Sequence, residues 1–280
     1  MEKELLDGLA PEDGSAMDGT ASNDIRYLKE MPLTVRYGEV GANGLVTLSS
    51  LGNWLQEAAG LSADELGFGS GALFPYGLTW ILMRMILHIE RLPSMQEPLV
   101  IATWPSRFSH FGYRGYRIYD SERRCIVHGG SAWSVMNLAT RTLAPLPEQL
   151  TAHYPETPSA CDDFSCRAIP KLRGGQACTG LIRVRKDDLD INGHVNNTRY
   201  LAWIMEKLPF EQAAFPQMVD ISFRAECHPD DDLEVSSMAA GDEIAPAVED
   251  TPSSVQYVLH SVTRRADGSN VCRALSAWQA

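Results

Sequence analysis

Apolar positions in this chain recur with two periods, and the order of those periods repeats. Leu201, Ile204, Met205 and Leu208 fall at i, i+3, i+4 and i+7, one apolar stripe of a helix. Asn196 or Asn197 stands where it can cap the start, and Pro209 where the helix should end. Leu51, Leu55, Ala58 and Ala59 take the same role earlier in the chain. A short strand is predicted before each helix, Leu33 to Tyr37 and Leu181 to Lys186. Behind the later helix, Val219, Ile221 and Phe223 alternate with polar residues, as do Leu233 and Val235, then Val255, Tyr257 and Leu259. Behind the earlier one, strand-like runs lie near Thr79 to Ile89, Leu99 to Trp104, Tyr113 to Tyr119 and Ala132 to Leu138. One helix followed by a long antiparallel meander, twice over, is an α+β pattern.

The repetition extends to residue identity. A shift of 149 residues, with no gap, lays Val35-Arg36 on Val184-Arg185 and Asn43-Gly44 on Asn192-Gly193. It also lays Val46 on Val195, Trp54 on Trp203 and Glu57 on Glu206. Near the end of each half, Ser131-Ala132-Trp133 echoes Ser276-Ala277-Trp278. The period is far too long for a solenoid. It implies two copies of one domain, at 29–145 and 178–280, each expected to wrap a sheet around one long helix, the hotdog architecture. An acidic tail (1–28) and a proline- and glycine-rich linker (146–177) complete the division.

Composition narrows the partners. The 280 residues are 44% hydrophobic and 21% charged, an ordinary globular balance. The net charge of −12 argues against nucleic acid, whose phosphates want a basic surface. No apolar run approaches the ~20 residues of a membrane span; Trp80-Ile81-Leu82-Met83 is broken at Arg84. The acidic N-terminus has no apolar signal core, so a cytoplasmic protein is expected. The six cysteines contain no CxxC pair, which favours free thiols and predicts no metal site.

The densest polar cluster runs from Asp187 to Asn197, between a strand and a helix start. Asp190, Asn192 and His194 bring a carboxylate, an amide and an imidazole within five residues. A hydrolase needs such a set to activate water, hold substrate and stabilise an oxyanion. A capping loop also favours Asp and Asn for local reasons. The duplication weighs against that reading alone. At the matching first-half positions Asp190 is replaced by Gly41 and His194 by Leu45, while Asn192 keeps its partner Asn43. One copy of the turn has retained ionisable groups and the other has not.

The run Asp188-Leu189-Asp190-Ile191-Asn192-Gly193-His194-Val195-Asn196-Asn197, with Tyr200-Leu201-Ala202-Trp203 behind it, resembles the signature of acyl-[acyl carrier protein] thioesterases. Arg224-Ala225-Glu226-Cys227 resembles that family's Arg-Arg-Glu-Cys strand, with Ala225 in place of the second Arg. Ile169-Pro170-Lys171-Leu172 resembles its connector between domains, and Leu55-Gln56-Glu57 its first helix. The resemblance spans about Met31 to the C-terminus. It implies a double hotdog fold, hydrolysis of fatty acyl thioesters on acyl carrier protein, and catalytic or site roles for Asp190, Asn192, His194 and Glu226; no cofactor is expected.

Glu226 and Cys227 compete for the site. Alternation from Val219, Ile221 and Phe223 would put Cys227 with the apolar set and Glu226 on the polar face, unless a bulge intervenes. Glu226 could polarise water or attack the thioester itself. The first half is expected to hold the acyl chain, with Trp54, Trp80, Met83, Met85 and Phe74 as lining candidates, although ordinary core is the simpler reading of each. Lys171, Arg173, Arg183, Arg185, Lys186 and Arg199 form the best basic group for an acidic carrier protein. His110, His128 and His228 read as isolated structural or surface residues. A CoA thioesterase, a hydroxyacyl-thioester dehydratase and a non-catalytic acyl-binding regulator are the rival readings. The sequence allows a homodimer and sets no oligomeric state.

Overall fold

The computed structural model describes residues 27–108, 111–151, 168–172, 177–191, 193–208, 215–240 and 255–279. Most of the expected tail and linker, together with His110, Arg173, Asn192 and Pro209, lies outside the described residues.

The chain forms β1 (Lys29–Thr34), α1 (Leu48–Glu65), α2 (Ser70–Leu73), β2 (Leu78–Ile89), β3 (Pro98–Phe108), β4 (Gly112–Tyr119), β5 (Cys125–Asn137), β6 (Leu143–Ala144) and α3 (Glu148–Thr151). There follow β7 (Cys178–Arg183), α4 (Asn197–Met205), β8 (Met218–Phe223), β9 (Asp232–Ala239), β10 (Val255–Arg264) and β11 (Asn270–Gln279). The earlier strands lie in the order β1-β3-β4-β5-β2, with β6 on β5, and the later ones in the order β7-β9-β10-β11-β8. The two orders are the same, strand for strand. Duplication thus holds at the level of topology.

Two compact units are interleaved along the chain: Met1–Leu33, Leu55–Ile86 and Val100–Ala168 in one, Thr34–Trp54, Leu87–Leu99 and Ile169–Ala280 in the other. Residues 34–54 and 87–99 of the first sequence half therefore belong with the second unit. In the first unit, Leu73, Leu78, Val135, Leu146 and Leu150 pack together, and Trp104 packs with Ala102 and Tyr119. In the second, α4 buries Tyr200, Leu201, Trp203 and Ile204 and packs on β9 and β10. Among the described residues no helix is long and apolar enough to cross a membrane.

Three sequence expectations shift. The strands expected at Leu33 to Tyr37 and Leu181 to Lys186 end early, at Thr34 and Arg183, and short 3-10 turns follow at Tyr37–Glu39 and Lys186–Asp188. The cause is local: the Glu39 and Asp188 carboxylates accept the backbone N–H of Arg36 and Arg185, at 2.7 and 2.8 Å, and bend the chain off the ladder. The strand expected from Ala132 begins at Cys125, because Gly129 and Gly130 mask its start. The alternation expected for Val255, Tyr257 and Leu259 gives way to consecutive burial of Val258, Leu259 and His260 in the stretch of β10 that pairs with both β9 and β11.

His260 is fully buried, its ring nitrogens each 2.8 Å from a hydroxyl, Ser237 Oγ at Nδ1 and Ser276 Oγ at Nε2. Trp278 donates to the same Ser276 Oγ. Tyr116, Ser131 and Trp133 form the matching set in the first copy. Burial pulls the His260 pKa down to about 3. An unfolded chain would take up that proton near pH 6.5, and the folded one only near pH 3. Stability from this group is therefore complete above pH 6.5 and falls as pH drops through the window, by about 1.4 kcal/mol per pH unit. Thermal midpoints of the parent and of His260→Gln between pH 7 and pH 4 should converge as the pH falls.

Candidate active site

Between β7 and α4 the chain makes a tight hairpin. Leu189 bridges Val195, the Asp190 N–H donates to His194 O at 2.7 Å, and the Gly193 N–H donates to Asp190 O at 3.0 Å. Gly193 has φ +77°, a conformation that penalises a side chain. Asn196 caps α4 by accepting from the Thr198 N–H at 3.0 Å, and its own N–H donates to Asp188 O. Beneath the loop the nearly buried Asp188 carboxylate accepts from Arg199 Nε at 2.7 Å as well as from the Arg185 N–H.

The same hairpin exists in the first copy. Val40 bridges Val46, Gly41 N–H donates to Leu45 O, Gly44 N–H donates to Gly41 O, and Gly44 has φ +75°. Glu39 does the work of Asp188 and also accepts from Trp54 Nε1 at 2.9 Å. The shared Asn-Gly pair is therefore explained by the turn. The imidazole of His194 is not, because Leu45 closes the earlier loop equally well. One detail differs: Asn43 Oδ1 accepts the Leu45 N–H, whereas Asp190 Oδ1 accepts the His194 N–H at 3.2 Å. Asp190 thus has a positioning job within the loop.

Past β8 the chain leaves the ladder. The N–H groups of Arg224 and Ala225 both point at Val271 O, a bulge, so simple alternation does not govern Glu226 and Cys227. The Val195 N–H donates to Cys227 O at 3.1 Å and ties this segment to the hairpin. That contact sets Glu226 Oε2 3.8 Å from His194 Nε2, with side chains 32% and 20% exposed, open enough for water to reach both. Cys227 is fully buried. Burial pushes its thiol pKa up, and neighbouring Tyr200 and Arg264 oppose the rise. A thiol so placed is a poor nucleophile.

Two neighbours were not read from the sequence. His228, set aside as isolated, presents its ring edge-on to His194, with centroids 5.3 Å apart. Arg264 donates to the Glu226 carbonyl and to Asp231 Oδ2, fixing the segment's backbone. The position of His228, two residues beyond Glu226, was the one available signal. His194, Glu226 and His228 each offer a metal-ligating atom, all within 4.8 Å of one another. No cysteine takes part, so cysteine spacing could not have revealed this group.

The first-copy backbone carries the mirror bonds: Val46 N–H to Pro93 O, as Val195 to Cys227, and Val35 N–H to Glu97 O, as Val184 to Asp231. Leu92 therefore stands where Glu226 stands, and Ser94 where His228 stands. Asp190, His194, Glu226 and His228 thus correspond to Gly41, Leu45, Leu92 and Ser94, none of them ionisable, while Asp188 keeps an acidic counterpart in Glu39.

Acyl-ACP thioesterase family models match both parts of the chain, the N-terminal domain over residues 26–154 and the C-terminal domain over 174–280. The chain belongs to the acyl-[acyl carrier protein] thioesterase family. An oleoyl-acyl carrier protein thioesterase of Arabidopsis thaliana is 27% identical over 98% of this chain and 82% of its own. A chloroplastic acyl-[acyl-carrier-protein] hydrolase of Cuphea viscosissima is 27% identical over 88% of the chain. The chain spans about 60% of the length of that Cuphea relative. The 12:0-ACP thioesterase of Umbellularia californica superposes with TM-score 0.77 at 23% identity, over 90% of this chain and 94% of its own. An acyl-ACP thioesterase of Bacteroides thetaiotaomicron gives 0.72 at 24%, over 90% and 98%. These likenesses show the thioesterase family's double hotdog fold.

The expected acyl-lining residues have firm partners of their own. Trp80 Nε1 donates to Phe68 O at 2.8 Å, its ring edge-on to Phe108, and Met83 packs against Phe111, Tyr113 and Ala132. Met85 and Trp54 are buried, while Phe74 is 71% exposed. Of the expected basic group, Arg199 bonds Asp188 and Arg183 pairs with Asp230. Lys171, Arg185 and Lys186 are exposed.

Proposed function

We propose that this chain hydrolyses fatty acyl thioesters carried on acyl carrier protein, releasing free fatty acid and carrier thiol. The observation that carries this reading is the Glu226–His194 pair, 3.8 Å apart where the later hairpin meets the segment after β8, with leucine at both matching places of the earlier copy. A water between the two groups would give a proton to the Glu226 carboxylate as its oxygen adds to the thioester carbonyl carbon. Asn192, with backbone N–H groups, holds the oxyanion; Asp190 keeps the loop in shape. As the tetrahedral adduct collapses, the carbon–sulfur bond breaks and the thiolate recovers a proton through His194. A direct attack by Glu226 would pass instead through an anhydride that water then opens. Both partners come from one chain, so a homodimer is not required for the chemistry. Trp54, Trp80, Met83 and Met85 are the candidates for acyl contact, and Lys171, Arg185 and Lys186 for an acidic carrier protein.

The test is thiol release from one acyl chain presented on carrier protein and on coenzyme A. The expected result is a higher kcat/KM on carrier protein, with free fatty acid as product. Preference for the coenzyme A ester would favour a CoA thioesterase. Loss of water from a 3-hydroxyacyl thioester, with no thiol released, would favour a dehydratase.

A further inference from the structure

We propose that His194, Glu226 and His228 form a binding site for a borderline-soft divalent cation of the zinc class. The three ligating atoms lie within 4.8 Å of one another. Two imidazoles and one carboxylate make a donor set suited to zinc, cobalt or nickel, and poorly suited to magnesium or calcium, which want oxygen throughout. Bond lengths of about 2.0–2.2 Å put tetrahedral ligands roughly 3.4 Å apart. His194 Nε2 and Glu226 Oε2 are at 3.8 Å, so small side-chain rotations suffice for that pair.

The backbone beneath the three ligands is already fixed. His194 sits on the closed hairpin, where Asp190 holds its N–H. Glu226 is held through its carbonyl by Arg264. The His228 N–H donates to Asp231 Oδ2 at 2.9 Å, and the Asp231 N–H returns a bond to His228 O. The ligands therefore stand on a scaffold that need not fold around the ion. His228 is exposed and Glu226 half-buried, which gives an entry path and leaves a fourth position for water or a substrate atom. The twin hairpin carries Leu45, Leu92 and Ser94 and offers no such set.

A bound ion would take the Glu226 oxygen and the His194 nitrogen away from water activation, so cation binding and hydrolysis compete. This consequence, unlike the site itself, rests on the proposed hydrolase reading.

Cobalt(II) is the probe, titrated into the full chain without an affinity tag and followed by its visible d–d absorption. The expected result is saturable binding at one ion per chain. Zinc should displace cobalt, and a large excess of magnesium should not. His228→Gln and Glu226→Gln should each weaken cobalt binding at least tenfold, with the fold unchanged by circular dichroism. Binding equal to the parent's in both variants would place the ion elsewhere and overturn the proposal, as would absence of binding at millimolar cobalt. In thiol-release assays, zinc should slow the parent at the concentrations that displace cobalt. It should slow His228→Gln, relative to that variant's own zinc-free rate, only at tenfold higher concentrations or more. Cobalt binding that responds to the two substitutions in a chain hydrolysing no thioester would keep the cation site and sink the hydrolase reading.

Discussion

Replacing Glu226 with Gln should lower thioester turnover by about 10²–10⁴-fold while leaving the melting temperature close to the parent's. The amide keeps the side chain's shape and removes the charge that takes a proton from water. Its backbone link to Arg264 runs through the main-chain carbonyl and is untouched. The side chain is 32% exposed, so the change leaves no buried cavity or stranded charge. Asp190→Asn separates two roles. Asp190 Oδ1 accepts the His194 N–H, and an amide oxygen can still do so. If Asp190 only shapes the loop, its Asn variant keeps most of its rate; if it shares the base, it falls alongside the Glu226 variant. Initial rates at saturating substrate, with thermal melts on the same samples, decide this. Full activity in both variants would remove Glu226 from the mechanism.

A second large effect is expected far from the chemistry. Gly115 faces Trp104 across β3 and β4, and a Cβ built there would lie 2.5 Å from Cε2 and Cζ2 of the indole. That ring is 1% exposed and lies against Ala102 and Tyr119, with the Arg117 guanidinium 5.7 Å from its centroid. The indole is flat and rigid and has nowhere to move without disturbing those neighbours. Gly115→Ala should therefore destabilise the fold by about 2–3 kcal/mol. In a chain of 280 residues the melting temperature should fall by roughly 3–5 °C. Adding Trp104→Leu should cost the Gly115→Ala protein less than it costs the parent, a coupling read directly from a double-mutant cycle. Equal losses in both backgrounds would mean that the ring does not enforce the glycine.

Most of the architecture was legible because its causes are local or periodic. Of the expected α4 stripe, Leu201 and Ile204 are buried, but the helix ends at Met205, so Leu208 lies beyond it; the Asn196 cap follows from its side-chain bond to Thr198. The shared Asn43-Gly44 and Asn192-Gly193 pairs survive because each glycine sits at positive φ in the turn. The features that escaped depended on long-range contacts or on side chains bonding the backbone nearby. The strand ends moved because the Glu39 and Asp188 carboxylates capture nearby N–H groups. His228 looked solitary because its proximity to His194 arises only when Val195 binds the carbonyl of Cys227. Leu92 could not be matched to Glu226 by an ungapped shift, since the offset between copies drops from 149 to 134 between the hairpin and this segment. Only the backbone bonds reveal that correspondence.

The central claim is a division of labour between twin hairpins. Its most direct test is a side-by-side rate measurement on His194→Ala and Leu45→Ala, the same truncation at matching places, with both proteins shown to be folded. Turnover should drop at least about a hundredfold in the first and stay near the parent's in the second. Comparable rates in the two, or a loss confined to Leu45→Ala, would contradict it.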